Sequence, residues 1–193
     1  TRSIFAFEKN GVELKAEFCS PLLLEDLELT GRPVTYILFE VRSIDDREHE
    51  VELYCDATSQ WCLNNEFSPV YWQRRRTVSM PATAGSDMMV MGMASQNILG
   101  AKGDKRRIDW GYLYVLPAAV GVPCNPDSIR TYIGPAGEAR GRFRQGRDFP
   151  ARDDPGMPRK ADADLPLAAT AFNLGKVGSE PQSRLVLLGY DDL

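Results

Sequence analysis

Apolar and polar residues alternate with a period of two through much of this chain, and that period limits what it can fold into. Val12, Leu14, Ala16 and Phe18 are separated by Glu13, Lys15 and Glu17. Such spacing puts one set on a buried face and the other in water, as in a half-buried β-strand. Asn10-Gly11 stands directly before the run. Both residues accept the positive φ of a two-residue turn, so the chain is expected to open with a β-hairpin. Residues 34–41 are a run of β-branched, aromatic and aliphatic side chains. His49, Val51, Leu53, Cys55 and Ala57 then alternate with Glu50, Glu52, Asp56 and Thr58, with Asp45-Asp46 as the turn between the two segments. Further strands are expected near 70–72, 88–93, 108–116, 168–174 and 184–188. Many short strands parted by turn residues predict an all-β fold, an antiparallel β-sandwich.

Two stretches break the pattern. Residues 21–29 carry Leu22, Leu23, Leu24, Leu27 and Leu29 among Glu25, Asp26 and Glu28, and are read as a connection with at most a short helical turn. Residues 117–166 hold Gly134-Pro135, Gly137, Gly141, Gly146, Pro150, Pro155-Gly156 and Pro158 among many Arg and Asp. They are read as one long irregular excursion, because loops beyond about 12–15 residues are usually functional or disordered. The excursion has too few apolar residues for a core of its own. All 193 residues are therefore assigned to a single sandwich domain, long enough to bury roughly two thirds of its unfolded surface. The start at Thr1-Arg2-Ser3-Ile4, already inside a strand pattern, suggests a piece of a longer chain.

Charge and composition narrow the function. A net charge of −4 and a pI near 5.1 leave no cationic surplus for neutralising phosphates, which argues against nucleic acid. No apolar run approaches the roughly 20 residues that span a bilayer, and no signal-peptide order stands at the N-terminus; the sequence names no compartment. Cys19, Cys55, Cys62 and Cys124 lack CxxC spacing and a nearby His cluster, so they are read as free thiols rather than zinc ligands. No cofactor is expected: there is no phosphate-cradling glycine loop.

Catalytic constellations are equally sparse. His49 is the only histidine, and its register with Val51 and Leu53 reads as structural. A Ser-His-Asp or Cys-His device needs an imidazole to move the proton. There is no GxSxG elbow and no SxxK pair, so acyl transfer by an activated serine has no local support. Paired carboxylates remain: Asp109 beside Arg107 and Trp110, and Asp191-Asp192 after Tyr190. Asp109 reads as an ion-pair partner beneath aromatic packing. Trp110, Tyr112 and Tyr114 are read as sharing one strand face, a core or interface stripe. No catalytic residue and no metal ligand is assigned. The candidates for binding or for an interface are Arg107, Asp109, Trp110, Tyr112, Tyr190 and Asp191.

Several short blocks stand in a particular order along the chain. They are Thr1-Arg2-Ser3-Ile4, Gly11-Val12-Glu13-Leu14, Ser20-Pro21-Leu22, Arg32-Pro33-Val34-Thr35-Tyr36, Val41-Arg42-Ser43 and His49-Glu50-Val51. Gln96, Lys102-Gly103-Asp104, the run from Arg107 through Asp109, Trp110 and Tyr112 to Tyr114, Met157-Pro158-Arg159, Phe172-Asn173-Leu174-Gly175 and Gly189-Tyr190-Asp191-Asp192 follow. The series resembles the N-terminal domain of the glutaminase A family over nearly the whole chain. It departs at Asp45-Asp46-Arg47, where the family has an Asp-Gly turn, and matches loosely at Trp61-Cys62-Leu63-Asn64.

The resemblance implies a β-sandwich of the supersandwich kind, placed ahead of a helical toroid in an enzyme that hydrolyses L-glutamine to glutamate and ammonia. The helical domain downstream is expected to be the partner of this chain and to hold most catalytic groups, leaving the sandwich a non-catalytic accessory. The signature of that role is an exposed apolar patch on the isolated domain. The alternative is a self-sufficient carbohydrate-binding module, which needs Trp61, Trp72 or Trp110 on an open concave face.

Overall fold

Residues 1–76, 87–98, 110–119 and 128–191 are described by a computed structural model. The opening hairpin forms as its turn chemistry requires. Asn10 and Gly11 take φ of 51° and 79°, and β1 (Arg2–Lys9) pairs antiparallel with β2 (Val12–Cys19) from Lys9↔Val12 outward. The segment after it is a connection whose one helical turn, α1 (Leu27–Thr30), is capped by Asp26, whose side chain accepts from the Leu29 amide at 2.9 Å.

The expected strands are present as β3 (Val34–Ser43), β4 (His49–Thr58), β5 (Pro69–Arg75), β6 (Met88–Met93), β7 (Tyr112–Ala119), β10 (Pro166–Val177) and β11 (Gln182–Asp191). Two more, β8 (Ile129–Pro135) and the two-residue β9 (Arg159–Lys160), lie where a loop was expected. Among the described residues the strands form two sheets. The larger runs β1-β2-β3-β11-β7-β6-β5-β9 and the smaller β4-β10-β8, antiparallel throughout. The all-β sandwich is therefore the observed fold.

Between the sheets, Phe39, Val41, Trp72, Met91 and Leu113 of the larger pack against Leu53, Ile133, Ala168 and Phe172 of the smaller. A second apolar layer lies on the far side of the small sheet. There Leu167, Ala169 and Ala171 of β10 and Tyr132 of β8 meet Ala136 and Ala139 of α2 (Ala136–Arg144) and Phe149. Strand β10 is thus covered on both faces, which explains why its sequence is nearly continuously apolar rather than alternating. Its alanines keep both neighbouring layers close.

The reading of 117–166 as irregular is corrected. This stretch contains the end of β7, all of β8, α2 and β9. Its charge-rich composition misled because four of its arginines, Arg130, Arg140, Arg142 and Arg159, are paired with carboxylates rather than solvated. Arg140 on α2 forks the Asp56 carboxylate on β4 at 2.7 and 2.8 Å, Arg130 on β8 pairs with Glu52 on β4, and Arg142 pairs with Glu138 one turn back. The segment between α2 and β9 is pinned to both sheets. Arg74 of β5 grips Asp153 with two bonds of 2.7 Å and donates to Thr131 Oγ1 of β8 at 2.7 Å. The Trp72 indole donates to the Asp154 carbonyl at 2.9 Å.

The strand expected over 108–116 begins later. Residues 108–109 lie outside the described residues, and Trp110-Gly111 form a bend before Tyr112 because Gly111 adopts φ of 90°.

Candidate functional site

Strand register draws distant parts of the sequence to one end of the large sheet. Val34 pairs with Gly189 and Thr35 with Leu188. Gly189 pairs in turn with Tyr114 and Asp191 with Tyr112, and Tyr112 pairs with Gly92 of β6. The blocks Arg32-to-Tyr36, Trp110-to-Tyr114 and Gly189-to-Asp191 are therefore neighbours on adjacent strands.

The bonds at this end are those of a clasp. The Tyr190 hydroxyl donates to the Trp110 carbonyl, and the Tyr190 amide donates to the Pro33 carbonyl at 3.2 Å. A side chain at Gly111 would meet the Tyr190 hydroxyl at 2.7 Å, so glycine is demanded there by both space and φ. Gln96 completes the clasp, accepting from the Gly111 amide at 2.6 Å and donating to the Met93 carbonyl at 3.1 Å. Tyr112 lies over Gly92, where a Cβ would sit 2.5 Å from the ring, and stands edge-on to Tyr114 at 6.4 Å.

Of the six candidates, Trp110, Tyr112, Tyr190 and Asp191 are brought together here, each half-buried. Arg107 and Asp109 lie outside the described residues, as do Asp192 and Cys124. The expected aromatic stripe is divided. Tyr112 and Tyr114 share the outer face of β7, while Leu113 and Val115 are its core residues. Trp110 precedes the strand, so it belongs to neither face.

His49 is a structural bolt. Its Nε2 lies 2.8 Å from Asp45 Oδ1, and the same oxygen accepts from Ser43 Oγ at 3.0 Å. The His49 bond, with help from Ser43 and the Arg47 amide, holds the Asp45 carboxyl below its ordinary range. Gly11 packs against both side chains, and its carbonyl accepts from the Ile44 amide at 2.8 Å. The imidazole thus ties the first hairpin turn to the turn after β3.

Among the described residues no three His, Cys, Asp or Glu are arranged to hold a metal ion, and Cys19, Cys55 and Cys62 are free thiols. Burial pushes the thiols of Cys55 and Cys62 up to about 12, far from nucleophilic at neutral pH. A polar cleft of about 520 Å³ is bordered by Asp153, Asp154 and Asp164. Their carboxylates accept from Arg74 and the Ile133 amide, from Arg159 and the Gly156 amide, and from the Gly137 amide.

Sequence reasoning missed the place of one feature and the existence of another. The first is an exposed apolar surface. Ile4, Phe5, Phe7, Phe18, Leu22, Leu23, Leu24 and Leu27 are 38–87% exposed and make up eight of the fourteen large exposed apolar residues among those described. The signal was present in Ile4-Phe5-Ala6-Phe7, where apolar residues occupy both faces of one strand. The second is a cavity of about 270 Å³ between the sheets, lined by Thr35, Ile37, Cys55, Thr170 and Val186, with Phe18 and Trp61 also bordering it. Of the tryptophans, Trp61 is 58% exposed and Trp72 is buried. No local pattern reports a space between two sheets.

These observations define an all-β sandwich in which the cleft carboxylates described above are tied to arginines and backbone amides and whose exposed surface is unusually apolar at its first hairpin. The chain belongs to the family described as "Domain of unknown function (DUF5127)", whose model matches residues 1–193. It is also 24% identical over 178 residues to Glutaminase A of Aspergillus oryzae (strain ATCC 42149 / RIB 40). That match covers 92% of this chain and 24% of the relative, so the chain spans about a quarter of the length of this curated protein.

Proposed function

We propose that this chain is the accessory sandwich of a glutaminase A-like amidohydrolase, non-catalytic by itself, and that it packs through its apolar hairpin and the 20–33 connection against a helical catalytic domain. The observation that carries the reading is the exposed apolar surface spanning Ile4 to Leu27. A monomeric domain rarely leaves so many large apolar side chains together in water, and such patches mark interaction sites. The similarity to Glutaminase A supplies the enzyme class, and its restriction to 24% of that protein is consistent with chemistry residing elsewhere. The occupied state of His49, Asp45 and the cleft carboxylates supports a non-catalytic role.

The placement of the surface differs from the expectation drawn from sequence. Trp110, Tyr112 and Tyr190 are engaged in the clasp, and the apolar exposure lies on the hairpin, which β3 separates from β11, and on the 20–33 connection. Ammonia release from L-glutamine tests the proposal, comparing this chain with one extended downstream to the length of Glutaminase A. Turnover confined to the extended protein is the expected result; turnover by the 193-residue chain overturns it.

Trp61 gives the carbohydrate-module reading its one observation, an exposed indole beside a cavity. The lining behind it is mainly apolar, and its side-chain hydroxyls among the described residues, those of Thr35, Thr58 and Thr170, are too few for the many hydroxyls of a sugar. Indole fluorescence unmoved by oligosaccharides is accordingly expected.

A further inference from the structure

The cavity between the sheets has a chemistry of its own, independent of the accessory role. Cys55 of β4 and Thr170 of β10 are cross-strand partners, and both line the cavity with Ile37, Phe39, Val115 and Val186 of the large sheet. Thr170 is 1% exposed, and its Oγ1 has no hydrogen-bond partner among the described residues. A buried hydroxyl in that state is costly and uncommon, since nearly all buried polar atoms are paired. The neighbouring residues of the same strand face, Ala168 and Phe172, are core hydrocarbons, so packing alone would be better served by valine.

The rest of the lining selects against charge. Asp56 is the one charged residue among the described residues of the lining, and its carboxylate is held by Arg140 of α2. Among the described residues no cation lines the cavity to balance an anionic ligand. Thr35 Oγ1 near the rim already pairs with Ser20 Oγ at 3.0 Å. Thr170 Oγ1 is thus a buried, unpaired hydrogen-bonding group in a mainly apolar space, with Thr58 also on the lining and exposed Trp61 and Phe18 beside it, and that combination defines a ligand type.

We infer that this cavity is a binding site for a neutral, mainly apolar small molecule, about the size of a bicyclic aromatic, that carries one hydroxyl or carbonyl group to meet Thr170 Oγ1. The size follows from the volume: an engineered apolar cavity of about 150 Å³ takes benzene, and this one is about 270 Å³. Binding is non-covalent, because the Cys55 thiol is held protonated by burial.

The test uses 2-naphthol and its isostere 2-methylnaphthalene, with 2-naphthoate as the anionic probe, titrated into the 193-residue chain and followed by amide chemical shifts. Saturable shifts at Cys55, Ala57, Thr170 and Val186 are expected with 2-naphthol. One neutral hydrogen bond contributes a factor of about three to ten, so 2-methylnaphthalene should bind weaker by about that factor and 2-naphthoate should not bind. Thr170→Val should retain the fold, since it removes an unpaired hydroxyl at constant shape, and should erase the preference for the naphthol. Ala57→Leu fills the cavity and should abolish both neutral probes. Equal affinity for the two isosteres in the unmodified chain, unchanged preference in Thr170→Val, or shifts scattered outside the cavity would each overturn the assignment.

Discussion

Strands β1 and β10 present similar local sequences and opposite environments. Ile4-Phe5-Ala6-Phe7 and Leu167-Ala168-Ala169-Thr170-Ala171-Phe172 both place apolar residues on both faces. In β10 all six are at most 1% exposed, whereas every residue of β1 is exposed. The difference is cover. β10 has partner strands on both edges, the large sheet over one face and α2 over the other; β1 has one partner, β2, and lies beyond the reach of the small sheet. Its inner face is reduced to an edge-on contact of Phe5 with Phe18 at 5.8 Å. A strand that is apolar on both sides is sealed only by two layers, and among the described residues β1 has neither.

The contrast is broken or sharpened by substitution. Phe172→Ala should cost about 3–5 kcal/mol in chemical denaturation, as a fully buried ring leaves a cavity the layers cannot close. Arg140→Ala should cost about 1–3 kcal/mol by removing one clasp of the outer layer and leaving the Asp56 carboxylate, 11% exposed, without its fork. Gly92→Ala should cost about 1–3 kcal/mol through collision with Tyr112. In a double-mutant cycle Tyr112→Ala should recover part of that loss, which separates a steric clasp from a simple strand-propensity effect.

Acid should act more gently and chiefly at the exposed side of the comparison. Glu17 paired with Arg2, Glu13 with Arg42 and Asp45 with His49 are all held below their ordinary ranges by those hydrogen bonds. A carboxylate depressed in the folded state adds stability above its unfolded value near 4 and loses it as pH falls through the folded value. Melting temperature should thus drop below about pH 4.5, and Asp45→Asn should make that drop shallower. The smallest effect is expected for Phe7→Ser: a change within about 0.5 kcal/mol in this chain. In a protein extended downstream the same substitution should loosen the packing of the sandwich against its neighbour, visible as separated melting transitions. A loss of several kcal/mol in the chain alone would mean that β1 is already covered.

Much of the fold was legible because it depends on short-range periodicity. Asn10-Gly11 specified its turn through the φ each residue tolerates, and a strand was expected near 88–93, where β6 forms. The stretch 117–166 was misread for a definable reason. Arg130, Arg140 and Arg142 look like solvated loop residues until Glu52, Asp56 and Glu138 are seen opposite them, and two of those partners are on another strand. Of the candidate site, the closeness of Trp110, Tyr112, Tyr190 and Asp191 was anticipated only as a list. Their meeting at one sheet end, with Gln96 and Gly111 as the fastening, depends on register between β11 and both of its neighbours.

The sequence by itself determined where most strands form, where the first turn falls, and that the result is all-β, since these follow from side-chain alternation and backbone torsion over a few residues. Only the tertiary structure decided which sheet each strand joins, that β10 is sealed on both faces while β1 is bare, and that Thr170 faces a cavity. Those outcomes rest on contacts between residues far apart in the chain, where burial is conferred by whichever layer arrives rather than by the residue that is buried.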